Sequence, residues 1–175
     1  MKKPETKLVC FYGPESTGKS TMAKRMAEIY QTEFVLEAAR EMITSNDDFT
    51  EEDIINIGKT QTERIQQKSK TANKILFCDT DLITTEIYSK HYLNSVPPIL
   101  YDLEKEVHFD QYFLFDVDVP WVADGLRDLG HQRVEMMKVF EEELAKRKIP
   151  SILIHGTWEQ REAIIRRKVD KLLAR

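Results

Sequence analysis

This sequence of 175 residues contains few cysteines and no long apolar run, and its basic residues do not outnumber its acidic ones. The longest apolar runs have the length of a strand, far below the ~20 residues that a helix needs to span a membrane. The 2 cysteines, Cys10 and Cys78, lie inside apolar runs, which is typical of buried, reduced thiols and not of a disulfide framework. The net charge of -4 argues against a broad nucleic-acid-binding surface.

The composition is that of a globular protein, with 41% hydrophobic and 32% charged residues. This length has room for one domain with one core, so we predict a single domain over residues 1–175. The charged N-terminus is not followed by the long apolar region and cleavage site of a signal peptide. We therefore expect a cytoplasmic protein with neither a membrane nor a nucleic-acid partner. The oligomeric state is left open.

Short apolar runs alternate along the chain with longer amphipathic segments. Near-continuous apolar runs predict strands that are buried on both faces, at 7–13, 32–37, 74–81, 112–118 and 151–156. Helical periodicity lies between them, at 19–30, 50–72, 82–92, 99–108, 133–148 and 158–174. The alternation predicts an α/β fold, a five-stranded parallel sheet with helices on both faces. We assign helix 50–72 to packing and give it no chemical role.

The first predicted strand runs into the segment Gly13-Pro14-Glu15-Ser16-Thr17-Gly18-Lys19-Ser20, which fits the phosphate-loop pattern G-x-x-x-x-G-K-[ST]. Its glycines permit a tight loop whose N–H groups point at phosphate oxygens, and the helix that follows adds its positive end. We expect Lys19 to reach the β- and γ-phosphates and Ser20 to bind Mg²⁺. The predicted ATP-binding residues of this stretch are Gly13, Glu15, Ser16, Thr17, Gly18, Lys19, Ser20 and Thr21.

The third predicted strand ends in an acidic pair, Asp79 and Asp81. A carboxylate at this strand end can hold a metal-bound water or accept a proton near the γ-phosphate. We predict Asp79 as a catalytic and Mg²⁺-binding residue and Asp81 as a substrate contact. The alternative for both is that they cap the helix that starts near Leu82.

A phosphate loop does not reveal the phosphate acceptor, but two classes are disfavoured. The guanine-reading tetrad N-K-x-D is missing from the sequence, and the length is short for a ring ATPase with its extra helical domain. A small-molecule kinase remains, and such an enzyme needs a carboxylate that orients or deprotonates the acceptor hydroxyl. Glu37, at the end of the second predicted strand, is a candidate base, Asp79 is the other, and Arg40 is a candidate substrate contact. The alternative is an ordinary surface ion pair.

The segment 118–134 is long, contains proline and glycine, and is a candidate lid. Arg127 and Arg133 can close over ATP and neutralise charge in the transition state. Trp121 can stack on a planar, cationic ring, and Asp124 can accept hydrogen bonds from ribose hydroxyls. Alternatively, Trp121 packs on the core and Asp124 holds the turn.

The loop after the last predicted strand is the candidate border of the adenine. It contains Gly156 and runs into Trp158, the first residue of the final predicted helix. We predict that Trp158 contacts ATP.

Four stretches in this order, "FYGPESTGKST", "VLEAARE", "DTDLITTEIYSKHY" and "DVDVPWVADGLRDLGHQR", resemble the kinase domain of NadR-type NAD-biosynthesis proteins, the ribosylnicotinamide kinases. The resemblance extends from about Lys7 to Leu173. It implies a phosphate-loop kinase that transfers a phosphoryl group from ATP to nicotinamide riboside, giving nicotinamide mononucleotide. It also implies that Trp121, Asp124 and the lid arginines form the lid and substrate pocket.

Two functions of NadR-type proteins are not expected to carry over. The chain begins at the first kinase strand and shows no H-x-G-H-type nucleotidyltransferase motif and no helix-turn-helix extension. Adenylyl transfer and transcriptional repression are therefore not predicted. Two alternatives stay open: a kinase for another nucleoside or nucleotide, and a regulatory switch that binds ATP.

Overall fold

A computed structural model describes residues 5–43, 49–119 and 132–175. Five parallel strands form one sheet in the order β2-β3-β1-β4-β5. The strands are β1 (Lys7–Tyr12), β2 (Phe34–Val35), β3 (Ile75–Asp79), β4 (Gln111–Phe115) and β5 (Ser151–Ile154). The helices are α1 (Lys19–Tyr30), α2 (Ala39–Met42), α3 (Glu51–Thr71), α4 (Leu82–Leu93), α5 (Pro98–Glu104), α6 (Arg133–Lys146) and α7 (Trp158–Leu173). The predicted fold class is confirmed.

Alternate residues of the central strand β1 face two different layers of helices. Val9 and Phe11 pack with apolar residues of α1 and α7, while Cys10 and Tyr12 pack with α4 and α6. On the same face as α4 and α6, Ile65 of α3 packs against β3. Both faces of β1, β3 and β4 are covered, which agrees with their near-continuous apolar runs. The edge strand β5 is largely exposed, so the predicted burial on both faces is wrong for this strand.

The second strand is shorter than predicted, and one helix was not predicted. Only Phe34 and Val35 pair with β3, since β2 lies at the edge of the sheet and has a partner on one side alone. The chain then turns into the four-residue helix α2. So short a helix has no room for the periodicity by which helices are recognised in a sequence.

Two sequence expectations concern the surroundings of the protein. Cys10 and Cys78 are both buried and unbonded to each other, on neighbouring strands. Within the three described ranges, no helix is both long and apolar enough to cross a membrane. The cytoplasmic location stays a prediction.

A partly buried ion-pair cluster around Arg147 joins α4, α5 and α6. Its guanidinium donates to Glu86 at 2.7 Å, to Glu104 at 2.5 Å and to Glu143 at 2.7 Å. Burial and the neighbouring Glu104 carboxylate raise the pKa of Glu86 to about 9, although Arg147 opposes the shift. The folded protein therefore holds a proton at Glu86 that the unfolded chain releases near pH 4–5.

This raised pKa predicts that stability falls as the pH rises from about 5 to about 9, because the folded state binds more protons over that range. Replacing Glu86→Gln keeps an acceptor for Arg147 and removes the titration. The thermal midpoint of E86Q is expected to decline less than that of the wild type between pH 5 and 9. Between pH 5 and 9 the free energy of unfolding is expected to fall further in the wild type than in E86Q, by about 1.4 kcal/mol for each unit by which the pKa is raised.

Thermal unfolding followed by circular dichroism at several pH values measures this effect. Glu141→Gln, on the exposed surface of α6, removes the same charge without touching the cluster and is the matched control. A wild-type decline that E86Q and E141Q share equally contradicts the assignment.

Candidate active site

The loop between β1 and α1 has the backbone of a phosphate-binding loop. Gly13 has a φ of 135°, and a Cβ placed there would lie 2.8 Å from the backbone oxygen of Phe115. Gly18 has a φ of 90° and caps α1 without a side-chain hydrogen bond. The first N–H groups of α1 are therefore left for a ligand, and they lie at the positive end of the helix dipole. This combination favours bound phosphate groups.

Lys19 is buried at the base of this loop. Its Nζ donates to the Pro14 carbonyl at 2.6 Å and lies 3.3 Å from Thr17 Oγ1. Burial lowers the pKa of Lys19, while the carboxylates of Asp79 and Glu37 raise it and so stabilise the cation. A largely desolvated cation beside anion-binding backbone is suited to the β- and γ-phosphates of a nucleotide.

Asp79 ends β3 and is 2% exposed. Its Oδ1 atom has no hydrogen-bond partner among the described residues, and the side chain lines the same cavity as Lys19. Burial raises the pKa of Asp79 to about 7, with a further contribution from Glu37, and Lys19 and Arg40 oppose the shift. A buried carboxylate that titrates near neutrality in a cavity is a candidate for catalysis or for binding a cation.

The residue after Asp79 has a rare backbone conformation. Thr80 is buried, has a φ of 74°, and donates its N–H to the Phe11 carbonyl at 3.0 Å. A β-branched residue in the left-handed region is strained, and such strain is concentrated at functional sites.

Glu37 and Arg40 lie beyond β2 and line the cavity beside Lys19 and Asp79. The carboxylate and the guanidinium form an ion pair at 3.8 Å, and both side chains are partly buried. The ion pair that was the alternative interpretation does form, but it lines the cavity and does not lie on the outer surface. Its position leaves Glu37 available as a base and Arg40 as an anion contact.

Asp81 does not line the cavity. It caps α4, where it accepts hydrogen bonds from the N–H and the hydroxyl of Thr84, both at 3.0 Å, and from the Tyr112 hydroxyl at 2.7 Å. These three donors satisfy the carboxylate, so the predicted substrate contact is replaced by the alternative, a helix cap.

Two predicted ATP contacts lie next to the phosphate loop. Arg133 donates to the Ser16 carbonyl at 3.2 Å and to the Val119 carbonyl at 2.6 Å, so it is joined to the loop itself. Trp158 lines the cavity, and its ring is 3.5 Å from the position of a Cβ on Gly18. Trp121, Asp124 and Arg127, with most of the predicted lid, lie outside the described residues.

Phosphate loop, carboxylates and Trp158 border one cavity of about 380 Å³. Beyond Glu37 it extends into a chamber between α3 and α4. Apolar and aromatic side chains dominate this chamber, together with three polar ones: Ile43, Phe49, Ile54, Ile57, Tyr88, Tyr92, Gln61, Thr84 and Thr85. Ile54, Ile57 and Gln61 of α3 share a face that lines the cavity, so this helix does more than pack against the sheet. Its lack of a chemical role stays a prediction. The isoleucine spacing gave the side of the helix but not what it faces.

Arg161 of α7 also escaped prediction, since nothing in the sequence separates it from its basic neighbours. It is 1% exposed and donates to the carbonyls of Thr17 at 3.0 Å, Gly156 at 3.1 Å and Asp116 at 3.3 Å. The Asp118 carboxylate pairs with the same guanidinium. Arg161 therefore joins the phosphate loop to the two turns beside it.

The donor set suits Mg²⁺. The unpartnered Oδ1 of Asp79 and the Ser20 side chain line one cavity, next to the loop that would hold phosphates. No group of three acidic, histidine or cysteine side chains able to hold a metal occurs among the described residues. This fits Mg²⁺, which commonly keeps several waters and binds through one or two carboxylates and the phosphates.

Comparison with known proteins agrees with this geometry. A family model described as "AAA domain" matches residues 8–161. The trifunctional NAD biosynthesis/regulator protein NadR of Salmonella typhimurium strain LT2 is 37% identical over 129 residues, covering 70% of this chain and 31% of that protein. NadR of Escherichia coli K12 is 34% identical over 153 residues, covering 83% of this chain and 37% of that protein. The chain thus spans about a third of the length of these relatives.

Solved structures share the fold. A crystal structure of NadR protein in complex with NR matches with a TM-score of 0.80 at 22% identity, covering 95% of this chain and 50% of that chain. Deoxyadenosine kinase from M. mycoides matches with a TM-score of 0.69 at 15% identity, covering 94% and 99%.

The resemblance predicted from the four sequence stretches is confirmed by these relatives. The match to the family model, residues 8–161, begins in β1 and ends in α7, so it covers more than half of the chain. The chain therefore belongs to the AAA domain family, and NadR proteins are among its relatives.

Proposed function

We propose that the chain is an ATP- and Mg²⁺-dependent kinase that phosphorylates the 5′-hydroxyl of nicotinamide riboside. One observation carries the proposal: Lys19, Asp79 and Glu37 line a single cavity that runs from the phosphate loop into an apolar chamber. A nucleoside triphosphate and a small organic acceptor can therefore meet at two carboxylates. We take residues 1–175 as one catalytic domain.

The residues divide the work as follows. Loop N–H groups and Lys19 hold the β- and γ-phosphates and neutralise their charge. Glu37 accepts the proton of the 5′-hydroxyl as that oxygen bonds to the γ-phosphorus, and the bond from that phosphorus to the β–γ bridging oxygen breaks to release ADP. Arg40 orients the Glu37 carboxylate through their ion pair at 3.8 Å. The apolar side chains of the chamber would reduce the access of water to the site, which would limit ATP hydrolysis.

Ser20 and Asp79 would hold the metal. A magnesium ion bound there supplies positive charge that stabilises the charge on the phosphate oxygens during transfer. The raised pKa of Asp79 means that its carboxylate has weak stabilisation from the protein alone. A nearby cation would favour the ionised form.

The choice of nicotinamide riboside is supported by the relatives. The sequence relatives are NAD biosynthesis/regulator proteins, and one of the solved NadR structures contains NR. The chain corresponds to only part of these proteins, so the acceptor is a proposal about this part.

An acceptor panel tests the proposal directly. ADP release from Mg-ATP is measured with nicotinamide riboside, uridine, cytidine, thymidine or nicotinamide mononucleotide, and without acceptor. We expect a large stimulation by nicotinamide riboside alone. Stimulation by another member of the panel contradicts the acceptor but not the kinase activity. Binding of ATP without stimulation by any of them contradicts the kinase and favours a regulatory switch.

Glu37→Gln is expected to lower kcat for phosphoryl transfer by about 10²- to 10⁴-fold, the usual contribution of a general base. The Kd for ATP is expected to stay close to that of the wild type, because the amide replaces a group that faces the acceptor. Glu41→Gln is the matched control, since Glu41 pairs with Arg64 at 2.7 Å and does not line the cavity. A wild-type kcat in E37Q would remove Glu37 from the role of base.

The raised pKa of Asp79 predicts a pH dependence. Asp79 must be ionised to bind the metal, so kcat/KM for Mg-ATP should rise with pH on an acidic limb centred near 7.

Asp79→Asn is expected to remove most turnover with a modest loss of ATP binding. Steady-state rates from pH 5.5 to 9, with the exposed Asp102→Asn as control, measure both effects. Unchanged kcat in D79N refutes the assignment.

A further inference from the structure

Gln61 is a polar residue on an otherwise apolar stretch of the cavity wall. It lies in the middle of α3, one and two helical turns after Ile57 and Ile54, and all three line the cavity. It is only 1% exposed. A fully polar amide at so buried a position needs partners for both of its ends.

One end of the amide has a partner, and that partner fixes the orientation of the group. The backbone N–H of Ala38 donates to Gln61 Oε1 at 2.8 Å. The reverse orientation would place the NH₂ group against another donor, so the network itself assigns oxygen and nitrogen. The NH₂ group must therefore point away from Ala38.

The other end has no partner. Gln61 Nε2 is buried and makes no hydrogen bond to any described residue. Together with Asp79 Oδ1, it is one of two such atoms on side chains that line this cavity. The acidic one would be satisfied by the proposed metal ion. The donor cannot serve a metal, because an amide NH₂ has only hydrogens to offer.

The surroundings of Gln61 identify what can accept its hydrogen bond. Ala38 follows Glu37 directly, so its hydrogen bond places Gln61 close to the candidate base, on the wall of the same cavity. ATP is held at the phosphate loop, and the nucleoside must place its 5′-hydroxyl near Glu37. The group next to Gln61 is then the body of the nucleoside.

We propose that Gln61 Nε2 donates a hydrogen bond to an oxygen of the bound nucleoside and so selects acceptors that carry this oxygen. This inference rests on the proposed function. It assigns α3 a role in specificity, with Ile54 and Ile57 supplying shape and Gln61 supplying the directional contact. A site with a buried donor discriminates against analogues that leave the donor unpaired.

The accepting oxygen has two sources in nicotinamide riboside, the carbonyl of the ring substituent and a hydroxyl of the ribose. Three analogues separate them: pyridinium riboside, which lacks the carboxamide, and the 2′-deoxy and 3′-deoxy forms of nicotinamide riboside. Each removes one candidate oxygen and keeps the 5′-hydroxyl.

The experiment compares kcat/KM for the four nucleosides in the wild type and in Gln61→Met, which keeps the length of the side chain and removes the amide. For the wild type, one analogue is expected to lose about 10-fold or more relative to nicotinamide riboside. In Q61M, kcat/KM for nicotinamide riboside is expected to fall by a similar factor relative to the wild type. For that analogue, kcat/KM is expected to be the same in Q61M as in the wild type. KM for ATP is expected to be unchanged.

The controls separate specificity from packing. Gln66→Met makes the same change on the exposed side of α3, where Gln66 contacts Glu106, and is expected to leave all four values unchanged. Gln61→Ser serves the same comparison if Q61M does not fold. Equal losses for all four nucleosides in Q61M overturn the inference, because they show that Gln61 acts only by holding Ala38.

Failure of the inference is distinguishable from failure of the proposed function. If the wild type phosphorylates nicotinamide riboside and Q61M keeps the wild-type discrimination, only the inference is wrong. If the wild type phosphorylates none of the four nucleosides, the proposed function is wrong and the inference falls with it.

Discussion

One buried guanidinium holds the loops of the site in place. Arg161 donates to three backbone carbonyls, those of Thr17, Gly156 and Asp116, and pairs with Asp118. A buried cation is costly unless every donor is satisfied, so these groups are constrained to converge on it. The phosphate loop, the end of β4 and the turn before α7 therefore keep one relative arrangement, and the cavity beside them keeps its shape.

The same low-dielectric environment sets the electrostatics of the cavity. Lys19, Asp79 and Glu37 each shift the charge state of another, because little water screens them. Asp79 is destabilised as an anion by burial and by Glu37, and Thr80 beside it is held in a strained conformation. Both features cost stability in the free protein. A bound metal cation would supply positive charge that offsets the first of them.

The sequence predicted what is local and missed what depends on distant contacts. Each residue of the phosphate loop could be predicted, because the loop's backbone geometry depends on glycines only a few residues apart in the sequence. Asp81 was uncertain because a carboxylate after a strand serves equally as a cap or a ligand, and its distant partner Tyr112 decides the matter. Gln61 and Arg161 were missed because their partners lie 23 and 144 residues away along the chain.

The strand order places the apolar chamber and the residues next to the phosphate loop on opposite sides of β1. β2 and β3 lie on one side of β1, and with α3 and α4 they carry the apolar chamber. β4 and β5 lie on the other side, leading to Trp158 and Arg161 next to the phosphate loop. Under the proposed function, substitutions in the walls of the chamber change the contacts to the acceptor. The contacts of Trp158 and Arg161 with the phosphate loop lie in the other half and do not depend on those walls.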